Sequence, residues 1–210
     1  YILFAFGKIR RRGEEKMKHV IIIYRNSNNT NAIHFIKNNL EEIFGEYTTF
    51  DNYYLHGSAD GERLKADAYL VLDEDIFEIA KERVDDFSKI IKLNRSPDSS
   101  ALQKIAQIPP GSNVLVVNDS YESSLSTIYS FYEVGISHIN MKAYDSALSH
   151  TGIYDSFDIA VTPAEAHLVP DHIEKIIDIG YRKVSFDTMF KLMKLLDLDI
   201  SVINRNLFRH

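Results

Sequence analysis

The sequence predicts an α/β fold: two Rossmann-like lobes with mainly parallel sheets, joined by a hinge. Three observations lead there. Short β-branched runs such as His19–Tyr24 and Val114–Val117 are bounded by polar stretches and read as buried strands. Segments of helical periodicity separate these runs, and strands alternating with helices imply βαβ units. Pro109-Pro110-Gly111 breaks the chain near its middle, after which the alternation starts again.

In order, His19–Tyr24 is the first strand. Thr30 is expected to cap a helix whose Ile33, Ile36, Leu40, Ile43 and Phe44 share one face, stopped by Gly45. Tyr47–Leu55 and Ala68–Leu72 are further strands. Ile76, Phe77, Ala80 and Val84 mark a second amphipathic helix, Lys89–Leu93 a fourth strand, and Leu102, Ile105 and Ile108 a third helix. In the second half, Val114–Val117 leads to a helix carrying Leu125, Ile128, Tyr129 and Tyr132 that ends at Gly135. Strands are expected at His138–Ala143, Phe157–Val161, Lys175–Ile179 and Lys183–Phe186. A last helix, capped by Asp187, presents Met189, Phe190, Met193 and Leu196. The expected division is a leader over 1–17, a first lobe over 18–98, a second over 99–198 and a linker over 199–210.

Bulk properties narrow the class. With 210 residues the chain can bury a proper core, and 45% hydrophobic with 26% charged residues is ordinary for a globular protein. No apolar run approaches the roughly 20 residues a membrane-spanning helix needs, so no membrane partner is expected. Without cysteine there is no disulfide framework, Cys-ligated zinc or thiol nucleophile, which fits a reducing, cytoplasmic compartment. The formal charge is −6. Residues 1–16 carry a net +3 and the remainder −9, so the acidic body is a poor platform for DNA. A chain opening on Tyr1 is expected to belong to something longer.

Ligands of open α/β sheets bind beyond the carboxyl ends of the strands, so the strand tips are the candidate sites. Asn118-Asp119-Ser120-x-Glu122 is the strongest signal, with polar groups at a tip and helix N–H groups behind them. Against this stands a capping box, Asp119 with Glu122, which leaves Asn118 and Ser120 less explained. Thr162 through His167 is second. Glu165 and His167 could form a polar or acid/base pair, though Thr162 could equally cap a turn and no nucleophile elbow accompanies them. Arg25-Asn26-Ser27-Asn28-Asn29-Thr30 is rich in donors but lacks glycine, so it is neither a phosphate loop nor a dinucleotide fingerprint. An Asn-rich turn is the competing reading. Arg25 alone there suits a carboxylate or phosphate. Asn94-Arg95 repeats the theme at the hinge. His167 and His172, five apart, do not share a helical face, so no metal and no cofactor are expected. A phospho-receiver reading lacks its acidic cluster.

Several segments resemble a known family: Ile90-Ile91-Lys92-Leu93-Asn94-Arg95, Ile108-Pro109-Pro110-Gly111, Val114 through Glu122, Gly135-Ile136-x-His138-Ile139, Asp158 through Pro170, and Ile177-Asp178-Ile179-Gly180. Their order and spacing are similar to the N-terminal sensory region of sigma-54-dependent transcriptional activators related to the propionate-catabolism regulator. The likeness runs from about Lys18 to Leu198 and is more specific in the second half. It implies two lobes forming a small-molecule sensor, preceding PAS, ATPase and DNA-binding modules. Those modules would lie in cis, and this domain itself would neither hydrolyse ATP nor bind DNA directly. Two departures stand out. Ala143–Tyr154 replaces a Pro-Gly-rich segment, and Ala164 sits where relatives often have Gly.

The resulting expectation is a non-catalytic sensor that binds a small polar metabolite between its lobes. Arg25, Asn26, Ser27, Asn94 and Arg95 would reach it from one side. Asn118, Asp119, Ser120, Thr162, Glu165 and His167 would reach it from the other. Its rivals are an enzyme using Glu165 and His167, and an interaction module that forms a homodimer through residues 1–12.

Overall fold

The computed structural model describes residues 17–25, 30–55, 63–72 and 76–200. Strand β1 (Lys18–Tyr24) lies between β2 (Thr48–Tyr54) and β3 (Ala68–Val71), with β4 (Ile90–Lys92) beside β3. All pairings in this sheet are parallel, with Ile22 opposite Asn52 and Leu70. The β1 run is apolar throughout because both of its faces are covered. Val20, Ile22 and Tyr24 pack with Ile33, Ile36, Leu40 and Phe44 of α1 (Thr30–Phe44). On the opposite face Ile21 and Ile23 meet Ile76, Ala80 and Val84, in and around α2 (Phe77–Arg83). Thr30 is the first helical residue of α1, so the cap position falls one residue earlier, outside the described residues. Gly45 ends the helix where a Cβ would stand 2.5 Å from the Glu41 carbonyl oxygen.

The second sheet repeats this plan. After α3 (Ser99–Ala106), whose first turn is capped by the Asp98 carboxylate accepting from Ala101 N–H at 2.9 Å, come β6 (Asn113–Val116), α4 (Tyr121–Glu133), β7 (Asn140–Ala143), β8 (Ile159–Thr162) and β9 (Lys175–Asp178). The strand order β7-β6-β8-β9 is all parallel and matches the β2-β1-β3-β4 order of the first sheet. Val114 and Val116 face Ala101, Ile105, Ile128 and Phe131. Leu115 and Val117 face Tyr154, Phe157, Val169 and Ile173, drawn from irregular segments that follow the short 3-10 turns at 146–151 and 166–168. The buried face of α4 differs from the expected one. Ser124, Thr127, Ile128, Ser130 and Phe131 are buried, whereas Tyr129 and Tyr132 are exposed.

Two crossings join the sheets. β5 (Arg95–Ser96) leaves the first lobe and β10 (Lys183–Val184) returns to it; the two pair antiparallel, with Val184 opposite Arg95. After the return the chain packs again on the first sheet. Val184, and Met189, Leu192, Met193 and Leu196 in and just after α5 (Phe186–Leu195), belong to the core of the first sheet. The α5 cap is Ser185, which accepts from Thr188 N–H, and not Asp187, which pairs with Lys191 instead. Phe190 is exposed, and Leu192 takes the core position expected of it. Among the described residues no helix is long and apolar enough to cross a membrane. The expected leader (save Met17) and the linker from residue 201 onward lie outside the described residues.

Candidate functional site

In each sheet the chain steps from its first strand to one neighbour and then back across to the other side. The order therefore reverses between β1 and β3 and between β6 and β8. Crevices form at such reversals, beyond the carboxyl ends of the strands. In the first lobe Arg25, which is exposed, follows β1 directly; the predicted Asn26 and Ser27 lie outside the described residues. In the second lobe the reversal is bounded by the loops at 117–120 and 162–168.

The first of these loops is built by its own side chains. Asn118 is buried. Its Nδ2 donates to Thr127 Oγ1 (3.2 Å) and Ser123 O (3.4 Å), while its Oδ1 accepts from Asp119 N–H (2.8 Å). Its backbone N–H donates to Ser124 Oγ at 3.1 Å. Ser120 is the N-cap of α4, accepting from Ser123 N–H at 3.1 Å. The cap is thus Ser120 and not the expected Asp119. Asn118 and Ser120 shape the helix entry, and the Asp119 carboxylate, predicted to cap it, is left exposed. Buried Thr127 accounts for the amide at 118: its Oγ1 donates to Ser123 O and accepts from Asn118 Nδ2, while Ser124 Oγ accepts from the Asn118 backbone N–H.

The β8 loop is organised differently. Thr162 is fully buried and its Oγ1 accepts from Glu165 N–H at 3.1 Å. Ala164 adopts φ 66°, a left-handed conformation that L side chains enter at a cost. Asp178, at the end of β9, holds this loop, its Oδ1 accepting from Ala164 N–H (2.9 Å) and Gly180 N–H (2.8 Å). Glu165 is buried, while the His167 side chain is 72% exposed at the rim. Their closest approach, Nδ1 to Oε2, is 3.7 Å, which is ion-pair range but longer than a hydrogen bond.

Asn118, Asp119 and Ser120 line a cavity of about 130 Å³ together with Tyr144, Ser146 and Leu168. Tyr144 and Ser146 were not singled out in the sequence, although they follow β7 directly and the carboxyl-end rule reaches them. The segment after β7 is fixed by Asp145, whose carboxylate caps the 3-10 turn at Ala147 N–H, and by Tyr154 Oη accepting from Asp145 N–H. A larger groove of about 410 Å³ runs along β9 and α3, lined by Lys104, Gln107, Ile108 and Lys175–Asp178. It lies on the flank of the sheet, away from the strand-order reversal. Among the described residues no group of three His, Asp or Glu side chains could hold a metal ion.

At the crossing, Asn94 works through its backbone: its carbonyl accepts from Ser185 N–H (2.8 Å) and its N–H donates to Thr188 Oγ1 (2.9 Å). Arg95 lies half-buried in β5. A residue missed in the sequence stands close by. Arg182 is 3% exposed, and its Nη1 donates to Ser126 Oγ of α4 over a long 3.4 Å. Burial, and then the Arg95 cation, push its pKa down, while the Asp119 carboxylate opposes them. Asp119 and Arg95, predicted from opposite lobes, both bear electrostatically on this buried guanidinium.

No protein-family model matches the chain, and no curated protein matches it.

Proposed function

We propose that this chain is a ligand-sensing regulatory domain of the kind that precedes the output modules of sigma-54-dependent activators, acting by binding and not by turnover. One observation carries the reading. Two parallel sheets of identical strand order run, at the carboxyl ends of β4 and β9, into a single two-stranded crossing. The carboxyl ends of both sheets therefore face the side where the lobes are joined, and a metabolite held there would bias how the lobes are set. Such a bias requires different affinity for the two settings, whatever the absolute affinity. The second-lobe contacts are Asp119, Ser120, Tyr144 and Ser146 around the cavity, with Glu165 and His167 at its rim; Arg25 and Arg95 serve from the first lobe. Asn118 and Thr162 act behind them by holding the loops. α5 carries the change onward, because it is bonded to Asn94 at the crossing and packed on the first sheet.

A thermal-shift screen of polar metabolites tests this. A true ligand at 100 times its dissociation constant adds about 2.7 kcal/mol. That gain is expected to vanish in Ser146→Arg, which fills the cavity. A gain that survives in Ser146→Arg overturns the site, and the absence of any stabilising metabolite in a broad screen overturns the function.

A further inference from the structure

The donors that Arg182 leaves unused are Nε and Nη2; neither has an acceptor among the described residues. These two N–H groups point the same way and form the side-on fork of the guanidinium plane, the face that grips both oxygens of a carboxylate or phosphate at once. The remaining nitrogen, Nη1, is the one engaged, by Ser126. An arginine keeps its charge, so a buried one calls for a counter-anion. Among the described residues no carboxylate stands within ion-pair distance of Arg182, and Asp119 acts on it only from further away. Arg95 adds a second cation at the same place, on the strand that pairs with β10 one residue beyond Arg182.

We propose that Arg182 is an oxyanion fork: its Nε and Nη2 bind, side-on, a carboxylate or phosphate group of the sensed metabolite, with Arg95 supplying further positive charge. This deepens the sensor reading and rests on it. Position makes the fork a coupling device. Arg182 immediately precedes β10, and its side chain packs on α4 of the second lobe, so a change in the setting of the lobes changes its cover. With the fork empty, closure strands a charge without a partner. With an anion seated, closure completes the pair.

The fork is read directly by the Nε–H NMR resonance of Arg182 in the full chain, assigned by its loss in Arg182→Lys. The probes are inorganic phosphate, succinate and neutral succinamide at constant ionic strength. The resonance is expected to shift saturably with at least one anion, to exchange more slowly with solvent, and to ignore succinamide; which anion acts separates phosphate from carboxylate recognition. Arg182→Met is expected to keep or raise the melting temperature of the anion-free protein and to lose the anion's stabilising effect. A resonance unmoved by both anions, or one moved equally by succinamide, overturns the fork. So does an Arg182→Met protein that is strongly destabilised without anion, which would make Arg182 a structural clamp. Small-angle scattering on the same samples separates this failure from that of the sensor reading. Anion binding with an unchanged envelope leaves the fork and sinks the sensor. A neutral metabolite that closes the lobes while the resonance stays still does the reverse.

Discussion

Val184 donates its backbone N–H to Asn39 Oδ1 over 3.0 Å, a buried bond between β10 and α1 across 145 residues of chain. It ties the returning strand to the first lobe. Leaving a buried donor unpaired costs about 1–3 kcal/mol. Asn39→Ala is expected to lose that amount in urea unfolding, more than Asn38→Ala next to it in the same helix.

The allegiance of α5 is testable at Leu192, which is fully buried in the first-sheet core. Leu192→Ala is expected to cost about 2–5 kcal/mol. Hydrogen exchange should show lost protection in β1 and β3 before β6 and β8. Loss confined to β6 and β8 would return the helix to the second lobe.

Two residues compete for the start of α4. Ser120→Ala is expected to lower stability by about 0.5–2 kcal/mol, as removal of a cap does. Glu122→Ala should change it by less than about 0.5 kcal/mol, since no capping box exists for it to complete. The comparison is a pair of melting curves.

At Ala164, φ 66° makes glycine the better residue. A left-handed L residue loses roughly 1–2 kcal/mol, partly offset by the extra chain entropy glycine surrenders. Ala164→Gly should therefore stabilise by up to about 1 kcal/mol, and Ala164→Val should destabilise by more. Calorimetry decides both.

The Asp85 carboxyl is held below the usual aspartate range, first by the Tyr69 hydroxyl and then by the Lys89 cation. Because its folded pKa is depressed, its contribution is present above the unfolded value and is lost as pH falls through the folded one. The stability gap between the native protein and Tyr69→Phe should thus narrow as the solution is acidified below the ordinary aspartate range. An NMR titration of Asp85 should move upward in the variant.

The strands were legible because β1 and β6 are covered on both faces, and such burial writes itself as unbroken β-branched runs. The face of α4 was not. Its buried side is filled by Ser124, Thr127 and Ser130, small polar residues that periodicity counts as solvent-facing, while Tyr129 at 62% exposure imitates a core position. Adjacent cap-competent residues, Asp119 with Ser120 and Ser185 with Asp187, left each helix start open by one or two positions. The strand tips pointed to Asp119 and Ser120, which do line the cavity. Arg182 gave no local sign at all. Its burial comes from α4 and β5 meeting the turn after Gly180, contacts far apart in the chain.

That α5 seals the first sheet has a consequence for synthesis. The second sheet is encoded without interruption from Asn113 to Asp178, so all of its strands have been translated before α5 has. The earlier-made sheet must wait for Leu192 and Leu196 before its apolar surface is shut away. On the ribosome, maturation of this molecule therefore runs backwards, the later half finishing ahead of the earlier.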